Sequence, residues 1–217
     1  MKIRILIQEI KLDKTTDDLT KNIFSFIKTT KEKFDRNNKN KSSNSFSVII
    51  YEPIFFEVKI TVKRNPNLEN SKLYFKDLEK GFSISAASIP SEDDFVLEIE
   101  LDPIKEPGSY FALAGWIKDH LRHEMEHITQ SQFFGINSFK IANGYKYLIS
   151  SSELSAMVKG MYAKAKHEKK YLDDVFNEYL DYVEKKGDLK NKNERKIVFD
   201  KWIEFTKRNL PNAKLRQ

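Results

Sequence analysis

The sequence of 217 residues contains no cysteine. No disulfide framework and no thiolate ligand can therefore form, so a metal ion would have to be held by imidazole and carboxylate groups. The chain also lacks long apolar runs, since stretches such as 48–56 are too short to span a bilayer and are interrupted by Glu52 and Pro53. Residues 1–13 interleave charged and apolar residues and lack the apolar core of a secretory signal. These absences predict a cytoplasmic protein that does not contact a membrane.

The positive charge of the chain is concentrated at one end. Residues 190–217 contain nine basic residues against three acidic ones, which accounts for the whole net charge of +6. A basic terminal segment is typical of contact with nucleic acid or another polyanion. It is more often a solvated helix face, since net charge alone is a weak guide to partners. We favour the solvated face, which makes nucleic acid the less favoured partner.

The apolar periodicity changes from strand-like to helical along the chain. A strand at 3–10 and an amphipathic helix at 15–34 are followed by a polar, turn-rich stretch. Four strand-like segments come next, and then helical periodicity continues almost to the end. The strands are predicted at 46–52, 55–63, 82–88 and 95–103, and the helices at 109–131, 152–168, 171–186 and 191–208. Strands followed by helices predict an α+β fold, with a small, mostly antiparallel sheet and a helical C-terminal half.

The same changes in composition predict four segments. Residues 1–36 form an N-terminal strand and helix, and residues 37–45 form a polar linker rich in Asn, Lys and Ser. Residues 46–188 form the main domain, and residues 189–217 form a basic C-terminal helix.

The helix at 109–131 has three predicted faces. One apolar stripe at helical spacing consists of Leu113, Ile117, Leu121 and Ile128, and Glu124 falls in its middle. A buried carboxylate is unfavourable without a partner, so its presence there suggests a pairing or a chemical role. A neighbouring flank carries Trp116, His120, His123 and His127. The remaining face, expected to point toward solvent, carries Lys118, Asp119, Arg122 and Glu126.

The flank with the histidines contains a metal-binding pattern. His123 and His127 are one helical turn apart and can place both imidazoles on one ion, while Glu124 can reach a water on that ion. These three positions predict two metal ligands and a general base. His120 lies two turns before His127, about 10 Å along the helix axis, too far to share the ion. It is predicted to support the site from outside the ligand set, by lining the cleft or by pairing with Glu124.

Catalytic zinc has three protein ligands and one open position for water. A third histidine six residues after His127 is excluded, because that position holds Phe133. The remaining common solution is a glutamate from a later helix, and Glu153 lies in the first turn of the next one. Small residues at Ala156 and Gly160 would let this helix approach the first closely. The competing interpretation is a capping box, in which Ser150 and Glu153 only satisfy backbone donors.

The stretches "HEMEHITQ" and "SSELSAM" together resemble the gluzincin metallopeptidases, and more narrowly small zinc peptidases encoded by phages and viruses. The resemblance covers about residues 95–165 and implies a minimal zincin-like domain. It implies that His123, His127 and Glu153 bind one Zn²⁺ and that Glu124 is the catalytic base. It also implies that a strand corresponding to 95–103 binds substrate by edge pairing. The residue that stabilises the oxyanion in larger gluzincins has no counterpart in this sequence at the level of a motif. The candidates for that role are Tyr145, Tyr147, Tyr162 and His167.

The predicted function is zinc-dependent hydrolysis of peptide bonds, with a peptide or protein as substrate. Tyr147, Tyr162 and His167 are also predicted, with His120, to line the cleft or support the ligands. The alternative is a non-catalytic, metal-containing binding protein whose basic C-terminal helix contacts nucleic acid or an assembly partner.

Overall fold

The computed structural model describes residues 2–37, 40–51, 54–89, 94–103, 110–134 and 144–216. Its fold is α+β, as predicted, with a five-stranded sheet and six α-helices in the described part of the chain. The strands are β1 (Lys41–Tyr51), β2 (Ile54–Arg64), β3 (Phe75–Asp77), β4 (Phe82–Ile89) and β5 (Asp94–Leu101). The helices are α1 (Lys2–Asn37), α2 (Tyr110–Phe134), α3 (Tyr145–Leu148), α4 (Ser151–Glu168), α5 (Leu172–Lys186) and α6 (Lys192–Asn209), and a short 3-10 helix spans Leu68–Asn70.

The sheet has the strand order β1-β2-β5-β4-β3, and only the β2–β5 pair is parallel. Alternate residues of β5 are buried, including Phe95 and Leu97, as the alternation in the sequence predicts. The other face carries charge pairs across β2 and β5, such as Lys63 with Glu98 at 2.9 Å. The helices therefore cover one face of the sheet, and the other face is polar.

The N-terminal region differs from the prediction. The strand expected at 3–10 is wrong, because α1 begins at Lys2 and continues without a break to Asn37. Alternating Ile residues in this stretch imitate a strand, but each residue added to an existing helix gains a backbone hydrogen bond at little further cost. The polar linker expected at 37–45 is also shorter than predicted: residues 41–45 belong to β1, and residues 38 and 39 lie outside the described part.

Helix α2 lies at the centre of the molecule, in contact with β4, α1 and α4. Its predicted apolar stripe is buried. Helix α4 approaches α2 closely at Gly160, where an added Cβ would lie 2.7 Å from the main-chain oxygen of Asp119. The close approach expected from the small residues of α4 is therefore present.

The α2 face that was expected to point toward solvent is instead mostly covered by α4. Asp119, Arg122 and Glu126 are all buried. Glu126 accepts hydrogen bonds from Arg122 at 3.0 Å and from Lys159 of α4 at 2.7 Å. The predicted solvent exposure of these residues was wrong because charged side chains that pair with each other can be buried between helices. The helical period of 3.6 residues in the sequence does not distinguish such a buried charged face from a solvated one.

Helices α5 and α6 complete the same core. Trp202 of α6 is fully buried, and its indole nitrogen donates a hydrogen bond to the Leu148 carbonyl at 3.0 Å. Its ring packs against Phe176 of α5, with centroids 5.2 Å apart. The basic C-terminal helix is thus an integral part of the fold. No helix in the described ranges combines the length and apolar character needed to cross a membrane.

Candidate metal centre

Three side chains from two helices converge beside the contact between α2 and α4. The Nε2 atoms of His123 and His127 are 3.0 Å apart. The Glu153 carboxylate faces both, with Oε2 3.6 Å from His123 Nε2 and Oε1 3.4 Å from His127 Nε2. These three residues form a group that could hold a metal ion.

The spacing of the donor atoms fits a small tetrahedral ion. Donors about 2.1 Å from a tetrahedral zinc ion lie about 3.4 Å from one another. The two Nε2 atoms are 3.0 Å apart, and the two oxygens of Glu153 lie 3.4 Å from His127 and 3.6 Å from His123, so the separations are of this order. Two imidazoles and one carboxylate would supply three of the four ligands of a tetrahedral ion.

The contacts of Glu153 bear on the alternative that it only caps α4. Ser150 occupies the N-cap position, but its side chain makes no capping hydrogen bond. One half of the predicted capping box is therefore absent. Glu153 itself is 3% exposed, and in the described part of the chain its Oε2 accepts no hydrogen bond. A buried carboxylate oxygen in this state is unfavourable, and a bound cation would relieve it.

The electrostatics of the group favour a neutral His123 and an ionised Glu153, whereas they favour protonation of His127. Burial, followed by the charge of His127, lowers the pKa of His123 to about 3. Burial opposes protonation of His127 as well. The hydrogen bond to Glu153 and the negative charge of Glu153 outweigh burial, and the pKa of His127 is raised. Burial also acts against ionisation of Glu153, yet the same contact with His127 lowers its pKa. Neutral imidazole and ionised carboxylate are the forms that bind metal ions.

Of the three candidate ligands, His123 lines a cavity of about 210 Å³. His123 and Glu124 form part of its wall. Glu124 is 7% exposed, so it occupies the buried position predicted from the apolar stripe. The cavity brings a carboxylate that is not in the donor group next to the first histidine ligand.

Two of the predicted supporting residues also line this cavity, His120 and Tyr147. The Nδ1 atom of His120 lies 3.0 Å from the Trp116 carbonyl oxygen, and burial lowers the His120 pKa to about 4. Its place beside the ligands, outside the donor group, agrees with the geometry expected from the helix. The Tyr147 hydroxyl hydrogen-bonds to the Glu153 carboxylate and contributes to lowering the pKa of Glu153. Tyr145, on the same short helix, packs against the hydrophobic core.

The structure does not bring Tyr162 or His167 to this cavity. His167 lies 14 residues after Glu153 on α4, about 21 Å along the helix axis. Its ring stacks on Phe111 with centroids 4.3 Å apart, and its Nε2 atom is 3.0 Å from the Phe111 carbonyl oxygen. The ring of Tyr162 instead makes a cation–π contact with Lys166, whose Nζ atom is 4.6 Å from the ring centroid.

Sequence reasoning missed a residue that ties the two ligand-bearing helices together. Gln130, one turn after His127, donates a side-chain hydrogen bond to the carbonyl of Ser152 at 3.2 Å. It therefore fixes the start of α4, and with it Glu153, against the end of α2. The signal was present in the sequence, since Gln130 continues the spacing of the two histidines on α2.

The strand expected to offer a free edge is not at an edge. Strand β5 pairs with β2 on one side and with β4 on the other. The resemblance therefore misassigned the edge strand, because the order of strands in a sheet is not evident from their order in the chain. In the described sheet, β3 pairs only with the first three residues of β4, so the outer edge of Ser85–Ile89 has no strand beside it. Ser85 and Ala86 also line the cavity.

The basic residues of the C-terminal segment are largely engaged within the chain. Five of the nine form ion pairs, namely Arg195, Lys196, Lys201, Arg208 and Arg216. Pairing of this kind is typical of a solvated helix surface.

No known protein family, no curated protein and no solved structure matches the chain.

Proposed function

We propose that the protein is a zinc-dependent metallopeptidase that hydrolyses peptide bonds. The observation that carries the proposal is the convergence of two imidazoles and one carboxylate at 3.0 to 3.6 Å, with Glu124 in the wall of the same cavity. The gluzincin resemblance of "HEMEHITQ" and "SSELSAM" points to the same function.

Within this proposal, His123, His127 and Glu153 hold the ion. Two imidazoles and a carboxylate also serve non-haem iron in other proteins, so the donor set alone does not identify the metal. Zinc is favoured because a carboxylate follows the first ligand directly, as in the H-E-x-x-H pattern of zinc metalloproteases. A bound zinc ion supplies a Lewis acid that lowers the pKa of water and polarises a carbonyl group.

Glu124 is proposed as the general base. Its carboxylate would accept a proton from the attacking water and deliver it to the leaving nitrogen. His120 would remain neutral near pH 7, because burial lowers its pKa to about 4. It therefore would not compete with Glu124 as a proton donor at neutral pH. The hydroxyl of Tyr147 would hold the carboxylate of Glu153 in place.

The free edge of β4 supports a peptide as the substrate. An extended chain can add to an exposed strand edge through main-chain hydrogen bonds, largely independent of its sequence. Ser85 and Ala86 line the same cavity as Glu124, so a chain added at this edge would run along that cavity. Small side chains at both positions leave room for the substrate backbone.

The deciding experiment compares wild type with Glu124→Gln. Elemental analysis should find one zinc per chain in both proteins, since Glu124 is not in the donor group. Wild type should cleave a denatured protein into peptides detectable by mass spectrometry, and the variant should be slower by about 10² to 10⁴-fold. Iron in place of zinc, or equal cleavage by both proteins, would contradict the proposal.

A further inference from the structure

Asp119 is a buried carboxylate that the proposed mechanism does not use. It is 7% exposed and lines the same cavity as Glu124 and His123. It lies one turn before His123 on α2, about 6 Å along the helix axis. Asp119 is therefore outside the metal-binding group but within reach of a substrate bound there.

The Asp119 carboxylate has no counter-charge in direct contact. Among the described residues its side chain makes neither a hydrogen bond nor an ion pair within 4 Å. Lys164 acts on it electrostatically, but Lys164 donates to Glu168 at 2.9 Å and to Glu178 at 3.4 Å. Burial is the main cause that raises the pKa of Asp119 to about 7. Buried carboxylates are normally paired with a cation or a hydrogen-bond donor. The Asp119 carboxylate is an exception, and a bound cationic ligand would supply the missing partner.

The surroundings of Asp119 suit a positively charged group. The rings of Tyr74 and Tyr179 form the cavity wall, and their hydroxyls are 2.8 Å apart. Tyrosine rings attract cations through their π-faces. Tyr74 makes one such cation–π contact with Lys186, whose Nζ atom lies 4.0 Å from the ring centroid. None of the described residues that line the cavity is a lysine or an arginine.

We infer that Asp119 is a specificity-determining residue, and that its carboxylate binds the cationic side chain of a lysine or arginine next to the scissile bond. This inference rests on the proposed peptidase function. The substrate's ammonium or guanidinium group would supply the missing counter-charge, while Tyr74 and Tyr179 would contact its alkyl stem. A neutral side chain of equal length would fill the cavity but leave the carboxylate unpaired, which is the basis of discrimination.

The test uses peptides built on a cleavage site identified by mass spectrometry. Each position within two residues of the scissile bond is occupied in turn by lysine, arginine, norleucine or glutamate. Wild type, measured at pH 8, should prefer lysine or arginine over norleucine by about 10- to 100-fold in kcat/KM at one position. The lysine and arginine peptides distinguish an ammonium from a guanidinium preference.

Two variants test whether Asp119 is responsible. Asp119→Asn should lose the preference, so that its kcat/KM no longer differs between the cationic peptides and the norleucine peptide. The matched control is Asp188→Asn, which removes an exposed carboxylate that acts on Tyr74 but does not line the cavity. The control should keep the preference. A preference retained in Asp119→Asn, or absent from wild type, would overturn the inference and leave the peptidase proposal intact.

A binding measurement separates the two proposals if no peptide is cleaved. Acetyl-arginine amide, acetyl-lysine amide and acetyl-norleucine amide are titrated into the zinc-loaded protein and followed by NMR. Binding of the cationic amides that is at least about tenfold tighter than that of norleucine, and is lost in Asp119→Asn, would support the cation site while the peptidase proposal fails. Equal binding of all three would overturn the cation site as well.

Discussion

The Glu153 carboxylate lies 3.4 Å from His127 Nε2, although the two residues are 26 positions apart and belong to different helices. The contact exists because α4 packs closely along α2. Gly160 permits the approach, and Gln130 fixes the helix ends. The candidate centre therefore depends on helix packing as much as on the three side chains.

The first prediction concerns the role of Glu153. Glu153→Ala should lower zinc affinity by at least about 100-fold, since loss of even a supporting contact typically costs 10- to 100-fold. Competition with a chromophoric chelator measures this affinity. The matched control, Ser150→Ala, alters the N-cap residue and should leave affinity unchanged, because the Ser150 side chain makes no capping bond. Unchanged affinity in Glu153→Ala together with a lower Tm would mean that Glu153 only stabilises the helix.

The second prediction concerns the approach of α4 to α2. Gly-to-Ala within a helix ordinarily stabilises by about 1 kcal/mol. Gly160→Ala should instead destabilise by about 1 to 3 kcal/mol, because the added Cβ would overlap Asp119 and force α4 outward. It should also weaken zinc binding, since Glu153 moves with α4. Urea unfolding and chelator competition measure the two effects.

The control for Gly160→Ala is Ser151→Ala, at an exposed position of the same helix. It should change neither the free energy of unfolding nor zinc affinity by a measurable amount. A stabilised Gly160→Ala would show that the two helices separate without cost and that the close contact does not hold the site together.

Local patterns predicted the part of the site that lies on one helix. The spacing of His123, Glu124 and His127 fixes their relative positions once α2 forms, since a helix sets the direction of every side chain on it. Glu153 was predictable as a candidate, but its contact with the two histidines depends on packing between helices. Non-local packing also determined the burial of Asp119 and the position of β5 inside the sheet, and neither has a signal in local periodicity.

The third prediction concerns Tyr147, whose hydroxyl bonds to the Glu153 carboxylate. Tyr147→Phe removes that bond while keeping the ring. Zinc affinity should fall by about 10-fold, as expected for the loss of a contact that orients a metal ligand. Tyr145→Phe is the matched control, because Tyr145 packs against the core and does not line the cavity. Equal affinities in the two variants would remove Tyr147 from the support of the centre.

The last prediction concerns the pH dependence of stability that Asp119 causes. Burial, with a smaller contribution from the charge of Glu168 and opposed by Lys164, raises the pKa of Asp119 from 3.8 to about 7. At a pH between these two pKa values, Asp119 is protonated in the folded protein and ionised in the unfolded chain. Stability therefore falls as pH rises from about 4 to about 7, and the loss is complete above that range.

Asparagine at position 119 cannot ionise and should escape this loss. Asp119→Asn should match wild type at pH 4 and exceed it at pH 8 by about 2 to 4 kcal/mol in the free energy of unfolding. Urea denaturation of the metal-free protein measures the difference without a contribution from zinc. Asp188→Asn, at an exposed position, keeps Asp119 and should lose stability between the two pH values as wild type does. If Asp119→Asn were instead less stable than wild type at pH 8, the Asp119 carboxylate would have a partner within the folded protein, and no substrate cation would be needed to balance it.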